Sequence, residues 1–330
     1  MVKQLRSKLG VTFSTLQCAY FNFSEEQIKQ TLKDLLSLNL DTIRLCSYWS
    51  YLEEKEGKID FPSLDWQLDM VAKAAKPPQV VMCVGLKQPR WPEFHFPKWA
   101  EDKYQTRGSN QPIDEQPGLA DQVLEFTQKV VNHTKDHPNI TWYQVENEAL
   151  KGELVANNRY LSLDFLKKEV ELVRSSIKPN QKIFLTCAID LWPILSRKDT
   201  RAFHHLLPLA EAIGINVYVK IPLKGNHYFG PTPIYWSKLN RWVKEIKEAG
   251  KEPWISEVQF EPWEDDNSPV HIKQREYQSM DPKKGSELVR KLDQVGFTKQ
   301  LLWGGEHWEY HKLQGHTEWW DSVQQLTTPP

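Results

Sequence analysis

The sequence lacks an excess of either charge. Its 42 Lys and Arg face 43 Asp and Glu, a formal net charge of -1 over 330 residues. Proteins that neutralise nucleic-acid phosphates or sit on an anionic membrane surface carry a basic surplus. Neither nucleic acid nor membrane is therefore expected as a partner. No apolar run reaches the ~18 residues of a membrane-spanning helix. The opening MVKQLRSKLGVTFS has basic residues but no apolar segment of the kind a secretory leader needs, so the expected location is cytoplasmic. Cysteine is scarce, with Cys18, Cys46, Cys83 and Cys187 far apart in sequence. The last three lie within or at the end of apolar runs. That is the pattern of buried free thiols, not of a disulfide frame or a zinc site. No glycine-rich phosphate fingerprint follows any apolar run, which argues against a nucleotide-binding open sheet.

Tryptophan, by contrast, is abundant, with 14 in the chain. Several lie outside the apolar runs, in expected loops. There a flat indole face suits the C–H face of a sugar ring, although loop packing uses tryptophan too. Short apolar runs alternate with helical stretches along the whole chain. The runs are LGVTFS, DTIRLCSYW, QVVMCVGL, NITWYQVENE, KIFLTCAID, GINVYVK, PWISEVQF and KQLLWGGEHW. Helices are expected at about 25–38 (with Ser24 as N-cap), 64–75, 118–136, 164–177, 200–213, 234–249 and 282–295, with a closing helix after Thr317. Strands buried on both faces read as continuous apolar runs, and strict strand–helix alternation implies a parallel sheet. Eight such units over residues 1–330 predict an α/β fold of one (β/α)8 barrel. Length alone would also allow two domains.

In such a barrel the chemistry sits at the C-terminal ends of the strands. Strand four ends in Glu146, Asn147 and Glu148, and strand seven in Glu257. Strand two carries Arg44, strand six ends in Tyr218, and strand eight ends in Trp303 with Glu306 and His307 just beyond. The two carboxylates Glu148 and Glu257, three units apart, suit the cleavage of an acetal. One donates a proton to the leaving oxygen while the other, ionised, attacks. A separation of about 5 to 5.5 Å gives retention, and about 6.5 to 9.5 Å admits water and gives inversion. The residues themselves leave both outcomes open. Glu146 competes with Glu148, or else lies deeper in the barrel or supports Arg44. Glu261 competes with Glu257. Candidate sugar platforms are Trp49, Trp91, Trp263, Trp303 and Trp308. Lys87, Arg90, Glu93 and His95 form a polar loop after strand three that either binds sugar groups or ties itself together. His204 and His205 read as structural, and Glu306, His307 and His311 lack the spacing of a metal site.

TWYQVENEAL resembles the fourth-strand Asn-Glu motif of clan A glycoside hydrolases, retaining enzymes that include cellulases, mannanases, β-galactosidases and β-glucosidases. The resemblance implies Glu148 as acid/base and Asn147 as a contact to the sugar 2-hydroxyl. PWISEVQF resembles the seventh-strand segment and implies Glu257 as nucleophile. TIRLCSYW resembles the second-strand arginine motif, with Arg44 orienting the nucleophile. VYV is similar to the sixth-strand tyrosine segment at Tyr218, and LLWGGEHW to the eighth-strand tryptophan, Trp303, that floors the sugar subsite. EEKEGKIDFPSLDWQLD resembles galactosidase-like members, and VGLKQPRWPEFHFPKW resembles bacterial barrels with no assigned substrate. The likeness runs in order from about Gly10 to Trp308. It implies a retaining β-glycosidase with a carbohydrate substrate, no cofactor and no metal, and a bell-shaped pH profile. Two rivals are a catalytically silent carbohydrate-binding barrel and a metal-dependent barrel enzyme.

Overall fold

The computed structural model describes residues 4–104, 106, 111–152, 156–191, 198–223, 227–264 and 277–328. The strands are β1 Lys8–Thr12, β2 Thr42–Cys46, β3 Gln79–Val84, β4 Ile140–Val145 and β5 Lys182–Ala188. They continue with β6 Ala212–Val217, β7 Ile221–Leu223, β8 His227–Phe229, β9 Glu252–Gln259 and β10 Lys299–Trp303. Eight of them close into a barrel in the order β1-β10-β9-β6-β5-β4-β3-β2, while β7 and β8 pair as a separate antiparallel hairpin. The predicted (β/α)8 fold is the observed one. Its strands are apolar on both faces because both are covered: β2 and β10 are buried at every position, and β3 at all but its first. Each fully covered Val, Leu or Ile contributes about 1.5–3 kcal/mol. All four cysteines are buried thiols outside any disulfide.

The chain packs as two compact units. The first comprises Met1–Ile43, Ala188–Arg197 and Gly214–Pro330. It holds β1, β6, β9 and β10, with helices Glu25–Ser37, Pro233–Glu248, Pro282–Val295, Gly305–Leu313 and Glu318–Thr327. Helix Glu25–Ser37 starts where the sequence says it should. Ser24 Oγ accepts from Gln27 N, and Gln27 Oε1 accepts from Ser24 N at 2.8 Å, a reciprocal cap. At the start of β10, Lys299 Nζ reaches Asp41 at 3.0 Å and Thr42 Oγ1 at 2.6 Å.

The second unit comprises Arg44–Cys187 and Lys198–Ile213. It holds β3, β4 and β5 with helices Pro62–Ala72, Leu119–Thr134, Leu163–Ser176 and Lys198–Leu206. The last of these is shorter than predicted. The segment from Leu207 to Ile213 is not helical, because Pro208 disfavours the α conformation in the residue before it. Strand β6 accordingly begins at Ala212, two residues ahead of the expected GINVYVK. Short helices at Thr15–Tyr20, Trp49–Leu52 and Lys98–Lys103, and the β7–β8 hairpin, had no clear periodic signal. No described helix is long and apolar enough to cross a membrane.

Candidate functional site

In the second unit the site is built around the end of β4. The strand stops at Val145, and the chain then enters the left-handed region twice, at Glu146 (φ 60°) and Glu148 (φ 46°). Each such non-glycine residue costs on the order of 1–2 kcal/mol. Hydrogen bonds on every side offset that cost. Glu146 N donates to Val84 O at 3.0 Å, Asn147 N to Lys87 O at 2.6 Å, and Glu148 N to Thr186 Oγ1 at 3.0 Å. The turn leaves Glu148 7% exposed, a covered carboxylate at a strand end.

Asn147 is fixed through its amide. Its Oδ1 accepts from Gln144 Nε2 at 3.2 Å and from Thr186 Oγ1 at 3.1 Å, and its Nδ2 donates to Glu93 Oε1 at 3.2 Å. Arg44, wholly buried, donates from Nη1 to Gln144 Oε1 at 3.0 Å. Arg44, Gln144 and Asn147 thus form one relay. Neither Gln144 nor Thr186 was singled out in the sequence. Gln144 had one signal, a polar side chain inside a largely apolar strand, two and three residues before Glu146 and Asn147; Thr186 had only the polar side chain in its strand.

Glu146 lies deeper than Glu148, as its place on the strand predicts, and its main-chain carbonyl accepts from Gln144 Nε2 at 3.1 Å, the amide that also holds Arg44. Its carboxylate accepts from the main-chain N–H groups of Leu86 (2.7 Å) and Lys87. It sits beside Glu169, which accepts from Thr127 Oγ1 at 2.8 Å. Burial raises both carboxyl groups above the carboxylate range, and the Glu169 charge pushes Glu146 further. The pair therefore retains a proton. Gly85, at φ 100°, makes room for it: a Cβ there would fall 2.4 Å from Glu146 Oε1.

The loop after β3 ties itself together. Lys87 is fully buried, and its Nζ reaches Glu93 Oε2 at 3.1 Å, Glu148 O at 3.0 Å and Lys151 O at 3.1 Å. His95 Nε2 meets Arg90 O at 3.2 Å. Burial lowers the His95 pKa to about 3, so the ring is neutral. Of the candidate platforms here, Trp91 is 59% exposed. Trp49 is different: it is wholly buried, with its indole N–H on Glu53 Oε2 at 2.7 Å and its ring against Phe96, Trp99 and Phe126. The structure gives Trp49 a packing role in place of the sugar contact expected of it.

In the first unit the site is built around β9. The β9–β10 register pairs Gln300 with Ile255 and Leu302 with Val258. Two residues of β9, Ser256 and Glu257, therefore stand opposite Leu301 alone. Such a bulge re-aims a side chain, and here it falls on the predicted nucleophile. Ser256 Oγ donates to Asn216 Oδ1 on β6. Glu257 is 4% exposed and accepts from Tyr218 OH at 2.8 Å on Oε2. Tyr218 is held in turn by Gln259, which accepts from Val219 N and Lys220 N at 2.9 and 3.0 Å and donates to Lys220 O at 3.0 Å. Gln259, two residues beyond Glu257, was also unmarked in the sequence.

Trp263 packs edge-on against Tyr218, with ring centres 5.4 Å apart, so Glu257, Tyr218 and Trp263 form one group. Trp303 ends β10 in register with Gln259 and accepts from Phe260 N at 3.1 Å through its carbonyl. Trp308 is buried, with its N–H on Phe260 O at 2.8 Å, and is a packing residue. Glu306 is wholly buried and accepts from Ser14 N at 2.6 Å. His311 Nε2 pairs with Tyr277 OH at 2.8 Å. Among the described residues no three His, Cys, Asp or Glu side chains form a group able to hold a metal ion.

Comparison with known proteins follows this geometry. Residues 19–160 match the glycoside hydrolase family 42 profile, β-galactosidase. No curated protein matches the chain. Among solved structures, a GH5_18 protein from Bifidobacterium longum subsp. longum, in complex with Manβ1-4GlcNAc, superposes with a TM-score of 0.64 at 13% identity, covering 97% of this chain and 78% of that one. A β-galactosidase from the psychrophilic Marinomonas ef1 gives 0.60 at 11% identity, over 98% of this chain and 62% of that one. A psychrophilic family 10 endo-β-1,4-xylanase gives 0.54 at 15% identity, over 90% and 86%. Residues 19–160 are thus similar to the family 42 β-galactosidase profile, and the closed barrel shares its fold with these glycoside hydrolases.

Proposed function

We propose that this protein is a retaining β-glycoside hydrolase in which Glu257 is the nucleophile and Glu148 the acid/base. The observation that carries the reading is the treatment of these two carboxylates. Each lies near the C-terminal end of a barrel strand, Glu148 just beyond β4 and Glu257 two residues before the end of β9; each is almost fully covered, and each falls at a backbone irregularity, a left-handed turn at Glu148 and a bulge at Glu257. Strain of this kind persists where the surroundings over-determine it, and it clusters at functional sites.

In the first step a Glu257 carboxylate oxygen bonds to the anomeric carbon. The glycosidic C–O bond breaks, and the Glu148 proton passes to the departing oxygen. In the second, ionised Glu148 takes a proton from water, the water oxygen bonds to the anomeric carbon, and Glu257 is released. Tyr218 OH, hydrogen-bonded to Glu257, holds the attacking carboxylate in place. The immobilised Asn147 amide presents a fixed polar contact to the sugar beside Glu148. The substrate is a β-linked glycoside or oligosaccharide, and the chemistry needs no cofactor.

The test is a panel of aryl β-glycosides with wild type and Glu257→Ala, with and without azide. Turnover by wild type, its loss in the variant, and recovery as an α-glycosyl azide are expected. Full activity in Glu257→Ala rejects the nucleophile assignment, and sugar binding without turnover by wild type rejects hydrolysis in favour of a silent binding barrel.

A further inference from the structure

The segment from Lys87 to Phe94 folds back on itself. Gln88 N donates to Glu93 O at 2.8 Å, Glu93 N to Arg90 O at 2.7 Å and Phe94 N to Pro92 O at 2.9 Å. Arg90 and Glu93 sit at φ 87° and 66°, where non-glycine residues are strained. This turn leaves the Glu93 side chain only 13% exposed, against Lys87 on one oxygen and Asn147 on the other. As a stability device the arrangement is poor. Taking two charges out of water costs several kcal/mol, and well-packed apolar residues do as well. What it achieves is a carboxylate acceptor at a fixed place, against the residue that precedes the proposed acid/base. Lys87 spends its donors on Glu93 and on two main-chain carbonyls, so its charge serves the loop and not an anionic ligand.

We propose that Glu93 is a specificity-determining residue whose carboxylate accepts a hydroxyl hydrogen from the sugar ring that Asn147 contacts. The ligand class is a neutral pyranoside with a free hydroxyl at that position. Uronides are disfavoured because their carboxylate would face Glu93. An O–H donated to a carboxylate is roughly twice as strong as a neutral pair, so one such contact discriminates well. The inference rests on the hydrolase reading, because that reading puts a sugar against Asn147.

The experiment compares wild type, Glu93→Gln and Glu93→Asp on the best aryl β-glycoside and its four monodeoxy analogues. Glu93→Asp keeps the charge beside Lys87 but withdraws it by one methylene. Both variants are expected to lose about 10- to 100-fold in kcat/KM on the parent. On one deoxy analogue, which wild type itself handles about that much worse, the variants and wild type converge. A loss of equal size on all five substrates marks general damage to the loop and overturns the proposal, as does no loss at all. If Glu93→Gln does not fold, Glu93→Asp decides alone. Absence of turnover by wild type on every glycoside rejects the hydrolase reading instead. The Glu93 contact then stands or falls on whether Glu93→Asp weakens glycoside binding in calorimetry.

Discussion

Acidification should loosen this protein through one imidazole, His95. The ring lies in the strand-three loop, edge-on to Tyr48 with ring centres 4.5 Å apart, and Ser50 N donates to the His95 carbonyl at 2.9 Å. Burial holds its pKa at about 3, and the nearby Arg159 charge pushes the same way, against main-chain hydrogen bonds to Arg90 and Gln88. In the unfolded chain the group titrates near 6.5. Below that value the unfolded state gains a proton that the folded state refuses, so stability falls as pH drops from about 6.5 towards 3. Between pH 7 and pH 5 this one group removes about 2 kcal/mol. His95→Gln retains an N–H for the Arg90 carbonyl but does not titrate. Urea unfolding of wild type and His95→Gln at pH 7, 6 and 5 measures the difference directly. The variant should lose about 2 kcal/mol less than wild type over that span. Parallel profiles would refute the argument and mean that the folded ring takes up its proton as readily as the unfolded one.

Other consequences concern the residues around the two carboxylates. Glu169→Gln removes a carboxyl group whose pKa burial raises to about 7. Because burial raises the wild-type pKa, wild type loses stability as pH rises through the folded value, and the variant should gain on it by about 1–3 kcal/mol between pH 5 and pH 8 in denaturant titrations. Gly85→Ala forces a Cβ into the space of Glu146 Oε1 at a positive φ. A loss of roughly 2–4 kcal/mol is expected in thermal unfolding, and an unchanged Tm would contradict the packing described. Tyr218→Phe removes the hydroxyl on Glu257, and a charge-assisted bond of about 1.5–3 kcal/mol corresponds to a 10- to 100-fold fall in kcat/KM on an aryl glycoside.

The barrel was legible because its signal is local. Each barrel strand is a short apolar run, most of the long helices carry a 3.6-residue period, and the order of strands and helices fixes which strand ends lie on one side. The two glutamates stood out as candidates because a charged residue near the end of an apolar strand is conspicuous. The supports of those glutamates were not. Gln144, Thr186 and Gln259 act through hydrogen bonds between strands, and their partners are far away in sequence. Tryptophan was the least informative residue. Trp49 and Trp91 both read as loop platforms, yet one is sealed by Phe96, Trp99 and Phe126 while the other stands in solvent. What covers a side chain is a tertiary fact that sequence spacing near the residue does not encode. The left-handed turns at Glu146 and Glu148 escaped notice because neither residue is a glycine.

The extra residue in β9 makes strand length, and not only side-chain identity, a functional quantity. Facing alternates every residue along a strand, so excising Ser256 would restore an even ladder with β10 and swing Glu257 to the opposite side of the sheet. A one-codon deletion there is thus a harsher lesion than most substitutions at the same place. Homologues that tolerate changes at Ser256 should still preserve the spacing between the bulge and the start of the strand.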